Sequence, residues 1–238
     1  MAGRTLDEPL HDIFHRHAVA LGREVQNQSM AKDRQCHGLH IVRRDVVGAV
    51  QHGVRYALER PLFVLATENP IEQEGTYPLP EAQLDRFMFN VVIDYPNAVD
   101  ERRILAETTT GAERRASHVA TGAELESVRT LVRDLPAASN VVDYALRLIR
   151  ATRPRDETAP APVREWVRWG VGPRAGQALL LGAKASAMLD GRTVPTPDDV
   201  TRIALPVLRH RVLVNFQAEA DGVSPDDVIR KLLEAVRP

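Results

Sequence analysis

Between Phe63 and Pro96, two short apolar runs enclose a dense polar loop and a helix-prone heptapeptide, and this alternation restricts the fold more than any other feature of the chain. The first run, residues 63–66 (Phe-Val-Leu-Ala), is continuously apolar, as a strand buried on both faces of a parallel sheet must be. It stops at Thr67, Glu68 and Asn69, where polar groups would face the crevice at the strand's carboxyl end, so Asn69 is placed to touch a ligand. After the turn-rich residues 69–80 comes Glu-Ala-Gln-Leu-Asp-Arg-Phe (81–87), helix-prone, with Arg86 just ahead of the second run, residues 91–93. On composition alone Asn69 reads as a turn cap and Arg86 as a helix C-cap.

The remainder is organised by helix signals. Val171, Gly172, Pro173 and Arg174 open a long apolar-periodic helix running to about Leu189, with Pro173 in the first turn and Gly191 where a C-terminal cap belongs. A cation in the first turn opposes the helix dipole, so Arg174 calls for an anionic partner. Thr196-Pro197-Asp198-Asp199 and Ser224-Pro225-Asp226-Asp227 each offer a hydroxyl N-cap, a proline at the first helical position and acids in the first turn, which predicts two more helix starts. Thr121 with Glu124 forms a capping box for a helix through Val132, and residues 141–151 form another amphipathic helix. From about Asn97 onward the chain is expected to be nearly all helix.

The first of these segments reads ATENPIEQEGTYPLPEAQLDRF from Ala66 to Phe87. It resembles, without a gap, the A-T-x-N-P-I-E-Q-x-G-T-Y-P-L-P-E-A-Q-x-D-R-F signature of the MoxR family of AAA+ ATPases. The Gly172-Pro173-Arg174-Ala175 tetrapeptide, and His210-Arg211-Val212 with Asn215-Phe216 and Glu219-Ala220, are similar to that family's helical lid, so the resemblance runs from about Val54 to Val236. It implies an α/β fold, the C-terminal part of a P-loop NTPase core at 54–96, followed by an all-helical lid at 97–238, with residues 1–53 unassigned. Residues 63–66 and 91–93 are then expected as neighbouring or near-neighbouring parallel strands, and Val54 falls in the second strand of a hairpin. In that family Asn69 acts as sensor 1, helping to place the attacking water. Arg86 is the arginine finger that reaches the nucleotide of the neighbouring subunit, a task suited to a planar, permanently charged fork. Arg174 is sensor 2, on the nucleotide phosphates. The resemblance further implies a ring, a hexamer in the family, with ATP and Mg²⁺ bound between subunits, remodelling of client proteins or metal insertion, and von Willebrand factor A domain partners.

A P-loop needs Gly-Lys-Ser/Thr after a glycine-rich turn, because backbone amides and a lysine ammonium together hold the phosphates. The three lysines stand in Ala-Lys32-Asp, Ala-Lys184-Ala and Arg-Lys231-Leu, and no four apolar residues upstream of Phe63 end in Asp-Glu. Ile41, Val42, Arg43, Arg44 and Asp45 are too polar for that role. Neither Walker motif is found, and no carboxylate is assigned to a metal. Residues 26–44 are polar without period and read as loop or poor structure, behind an amphipathic start around Ile13 and Phe14. The reading is therefore a shortened or rearranged family member. It stands either as an ATPase of the family or as a non-hydrolysing remnant that serves as an interaction and assembly module.

Composition excludes other classes. A net charge of −1 gives no general attraction to nucleic acid, and no apolar run of about eighteen residues is present to span a bilayer. The N-terminus lacks a signal-peptide core, and the lone Cys36 excludes an internal disulfide, so a cytoplasmic protein is expected. His11, His15, Cys36, His37 and His40 match no zinc spacing, and Cys36 has no apolar or glycine-rich surroundings to activate it as a nucleophile.

Overall fold

The computed structural model describes residues 48–51, 54–57, 61–67, 79–110 and 117–238. They fall into two compact units, one made of residues 1–69 and 105–126 and the other of residues 70–104 and 127–238. In the first, β1 (Gly48–Gln51) and β2 (Val54–Ala57) pair antiparallel in the register Gly48 to Ala57, which is the hairpin expected around Val54. The start of α3 (Gly122–Asp134) is fixed by the anticipated capping box, Thr121 N donating to Glu124 Oε2 at 2.6 Å and Glu124 N to Thr121 Oγ1 at 3.2 Å. The bonds that Thr121 N and Thr121 Oγ1 (2.8 Å) donate to the Glu124 carboxylate hold its pKa below the usual value.

The second unit is helical. Its elements are α1 (Glu81–Leu84), the first part of α2 (Ala98–Thr108), the rest of α3, α4 (Ser139–Ala151), α5 (Ala161–Trp166), α6 (Pro173–Leu189), α7 (Pro197–Leu208), α8 (Phe216–Ala220) and α9 (Pro225–Ala235). A short antiparallel ladder, β3 (Val167–Trp169) with β4 (Leu213–Val214), ties the chain before α6 to the chain after α7. The helix starts fall where the sequence puts them. Proline occupies the first positions of α6, α7 and α9, Thr196 and Ser224 make capping boxes with Asp199 and Asp227, and Gly191 closes α6 at φ 73°, where a side chain would be strained.

The core lies where α4, α6, α7 and α9 meet. Tyr144, Leu148, Leu179, Leu208, Ile229 and Leu232 are all fully buried. Removing a large aliphatic side chain here carries both a transfer and a cavity cost. Gly182 lets α6 approach α7, since a Cβ there would collide with the Ile203 side chain and touch the ring of Phe89.

Residues 63–66 and 91–93 differ from expectation. Among the described residues neither run is paired into a sheet, and both are exposed, with Leu65 at 64% and Ile93 at 71%. A parallel strand has no hydrogen bonds of its own and is held by ladders on both sides. The two described sheets are two-stranded and antiparallel, and neither offers such ladders to these runs.

Candidate functional site

The site is assembled on the turn that follows α1. Asp85 caps the helix, its N–H donating to Glu81 O at 2.9 Å, and two further turn bonds, Arg86 N to Gln83 O (3.1 Å) and Phe87 N to Leu84 O (3.0 Å), carry the chain round. Asn90 N then donates to Pro206 O at 2.8 Å, joining the outgoing chain to the last turn of α7. Pro206 has no N–H of its own and sits inside α7, so the helix is locally loosened there.

Immediately beyond α7, Arg209, His210 and Arg211 hold this turn. Arg211 is 4% exposed, and all five of its N–H groups are used. Nε donates to Asp85 Oδ1 (3.1 Å), Nη2 to Asp85 O (3.0 Å) and Phe87 O (2.6 Å), and Nη1 to Met88 O (3.3 Å) and Val207 O. Arg209 Nη1 donates to Asn90 O at 3.3 Å while its guanidinium forks onto Asp226. His210 places Nε2 3.1 Å from Phe87 O, with Nδ1 buried and without a partner. Burial first, then the charge of Arg211, pushes the imidazole below its usual value, so the ring is neutral at pH 7 and Nε2 is the donor.

Arg174 stands at the second position of α6, more than half exposed, and Nη1 donates to Asp85 Oδ2 at 3.0 Å. The anionic partner that its place on the dipole requires is therefore an internal carboxylate, which Arg174 shares with Arg211. The chain leading to Arg174 is fixed against the end of α4. Val171 N donates to Thr152 Oγ1 (3.0 Å), Thr152 Oγ1 to Ile149 O (2.7 Å) and Arg153 Nε to Val171 O (3.2 Å). Gly170 packs directly on that backbone. A Cβ at residue 170 would lie 2.6 Å from the Thr152 carbonyl carbon and 2.7 Å from Arg153 Cα. Gly170→Ala is therefore expected to displace the start of α6 and to destabilise the unit by about 2 kcal/mol or more, read as a lowered denaturation midpoint at unchanged m-value.

A cleft of about 350 Å³ opens between α1 and this approach, lined by Glu81, Asp85, Gly170, Gly172, His210 and Arg211. A wider hollow of about 550 Å³ shares residues 169–172 with it and is edged by Arg153, Arg155 and Arg168.

Of the residues singled out by sequence, Arg86 and Arg174 are both brought to Asp85, Arg86 as its chain neighbour and Arg174 as its ion-pair partner. Arg86 lies one residue beyond the C-cap, exposed, and its side chain makes no hydrogen bond or ion pair with another described residue, so it does not cap α1. Asn69, His11, His15, Cys36, His37 and His40 lie outside the described residues. Asp85 and the clamping role of Arg211 were not anticipated. The signal available was an arginine set directly after an apolar helix end, which burial leaves in need of acceptors. Among the described residues, no group of three or more His, Cys, Asp or Glu side chains stands together to hold a metal ion.

Two family models match the chain: the ATPase family associated with various cellular activities (AAA) over residues 17–89, and the AAA lid domain over residues 147–232. The first begins well upstream of Val54, where the resemblance legible in the sequence starts. Together with the helical unit and its cleft, they define a chain of the AAA+ ATPase class, core followed by lid. A solved structure of a candidate ATPase from Cytophaga hutchinsonii superposes with a TM-score of 0.73 at 30% identity, covering 80% of this chain and 58% of that one. The chain belongs to the MoxR family. It is 35% identical to the chaperone MoxR1 of Mycobacterium tuberculosis over 77% of its length and 48% of that protein's. It is 31% identical to the protein MoxR of Paracoccus denitrificans over 65% and 49% respectively. The chain thus spans about half the length of the curated relatives it matches.

Proposed function

We propose that this chain works in an ATP-hydrolysing MoxR-type ring and contributes to it chiefly in trans, through Arg86. The reading rests on one observation: Arg86 is exposed and without a side-chain partner among the described residues, while the residues on either side of it are bound to Arg211. A free guanidinium on a fixed turn is what a neighbouring subunit's phosphoryl group needs, because phosphoryl transfer is catalysed by positioning and by stabilising charge. Arg174 and Asn69 are secondary in this reading: sensor 2 and sensor 1 serve the nucleotide of their own chain, for which these 238 residues provide no Gly-Lys-Ser/Thr cradle. The ring is cytoplasmic and is built with other MoxR-type subunits. Its output is chaperone-like remodelling of a client protein or metal insertion, with von Willebrand factor A domain proteins as partners. Nucleic acid and membrane take no part. Among the described residues no helix is long and apolar enough to cross a membrane.

A second reading, an assembly module that does not itself hydrolyse ATP, is favoured by the lysines. Lys184 donates to Arg133 O at 3.0 Å, and Lys231 lies over the Trp166 ring at 4.4 Å, so neither is available to a phosphate. The purified 238-residue chain is expected to release phosphate from ATP no faster than background in the presence of magnesium. Robust turnover that disappears on Asn69→Ala would instead reveal a phosphate cradle within residues 1–50.

A further inference from the structure

We infer that Arg211 is a positioning residue for Arg86, and that Arg211 and Asp85 together form a latch that fixes the direction of the finger from the lid. The inference rests on the trans-acting role proposed for Arg86. Four of the five acceptors of Arg211 belong to residues 85–88: the Asp85 carboxylate and the carbonyls of Asp85, Phe87 and Met88. The fifth is Val207 O of α7, so one planar group joins the turn to the helix. A helix C-cap is satisfied by one or two donors, and this guanidinium spends four on the turn. The acceptors lie on either side of Arg86, and the Arg86 side chain is left out of the network. Backbone on both sides of the finger is thereby fixed while its head stays free.

The latch also links the two cationic residues of the site. Asp85 gives Oδ1 to Arg211 and Oδ2 to Arg174. An anion that draws Arg174 away leaves the Asp85 carboxylate to Arg211 alone. Burial pulls the Arg211 guanidinium below its usual pKa and the bond to Asp85 opposes it, so the carboxylate compensates the cost of placing a cation there. Neither a lysine, with three donors on a point charge, nor a glutamine, with two and no charge, reproduces five bonds in one plane.

The test combines hydrogen exchange on the full chain with turnover of a mixed assembly containing an intact MoxR-type subunit. In Arg211→Gln, amides of residues 86–90 are expected to exchange about tenfold faster or more, with α6 and α9 unchanged. Asp85→Asn, which keeps the turn's shape and every carbonyl acceptor, is expected to accelerate the same amides by a smaller factor. In the mixed assembly, Arg211→Gln is expected to lower kcat at unchanged KM for ATP. The Arg86→Ala, Arg211→Gln double variant is expected to be no worse than Arg86→Ala alone, since a positioning residue has nothing left to position. Unchanged exchange at residues 86–90 in both single variants, or equal acceleration across α6 and α9, overturns the latch. Loosened exchange with no effect of Arg86→Ala on the partner keeps the latch and removes the finger role.

Discussion

Mixed into a ring of intact MoxR-type subunits, the Arg86→Ala chain is expected to abolish turnover at every interface where it supplies the finger, while the unmodified chain sustains it. An arginine finger is worth about 10³ to 10⁵ in rate, so an interface without it is silent beside one that has it. The measured loss should therefore follow the fraction of interfaces replaced, and a titration of variant against intact subunit separates this from general poisoning of the ring. Arg174→Ala should matter much less in the same assembly. Its guanidinium is engaged with Asp85 and would serve a nucleotide on its own chain, where these 238 residues provide no Gly-Lys-Ser/Thr to cradle one. Equal effects of the two substitutions, or failure of the chains to co-elute on size exclusion, would remove Arg86 from the mechanism.

The helical unit was legible because its signals are local. A hydroxyl at the N-cap, proline at the first position and acids in the first turn act within four residues, and the starts of α7 and α9 follow directly. The end of α6 was set in the same way by Gly191, which alone tolerates φ 73° without strain. The strands at 63–66 and 91–93 were read from apolar continuity, which reports a preference for burial and says nothing about the partners that supply it. With no ladder on either side among the described residues, the same residues stand exposed.

Arg174 was legible for an electrostatic reason, a cation on the unfavourable end of a dipole, and that argument named the need for an anion without naming Asp85. Asp85 lies 89 positions away in sequence and Arg211 lies 126 from Asp85, and no periodicity connects such residues. Exposure of Arg86 was likewise invisible, since a Leu-Asp-Arg-Phe stretch suits a helix end as well as a turn. What composition did supply was the shortage of lysine, from which the proposed dependence on an intact neighbour derives.

The largest stability loss from a single polar substitution is expected at Asp199. Its carboxylate is 1% exposed and makes two kinds of bond at once. It completes the α7 capping box, accepting from Thr196 N (2.8 Å) and Thr196 Oγ1 (3.0 Å), and it takes both Arg192 donors, at 2.7 and 2.6 Å. Asp199→Ala loses the cap, worth about 1 kcal/mol, and breaks a charge-assisted fork whose removal from a fully buried pair costs about 3 to 5 kcal/mol. Arg192 is 35% exposed and keeps water and its bond to Asp190, so the fork is worth less than in a fully buried pair, about 2 kcal/mol, and the substitution costs about 3 kcal/mol in all. That corresponds to a fall of roughly 6 to 12 °C in Tm for a unit of this size. Asp199→Asn should lose less, since it keeps the shape and one acceptor. The Arg192 hydrogen bonds hold the Asp199 carboxyl far below the usual carboxylate range, outweighing its burial. A depressed folded pKa gives stability that is fully present above the unfolded value of about 3.9 and is lost as pH falls below it towards the folded value. The gap between wild type and Asp199→Asn, measured by denaturant unfolding, should therefore be constant from pH 7 to about pH 5 and narrow below about pH 4. A gap that widens on acidification would mean that the Arg192 fork is not what stabilises this end of α7.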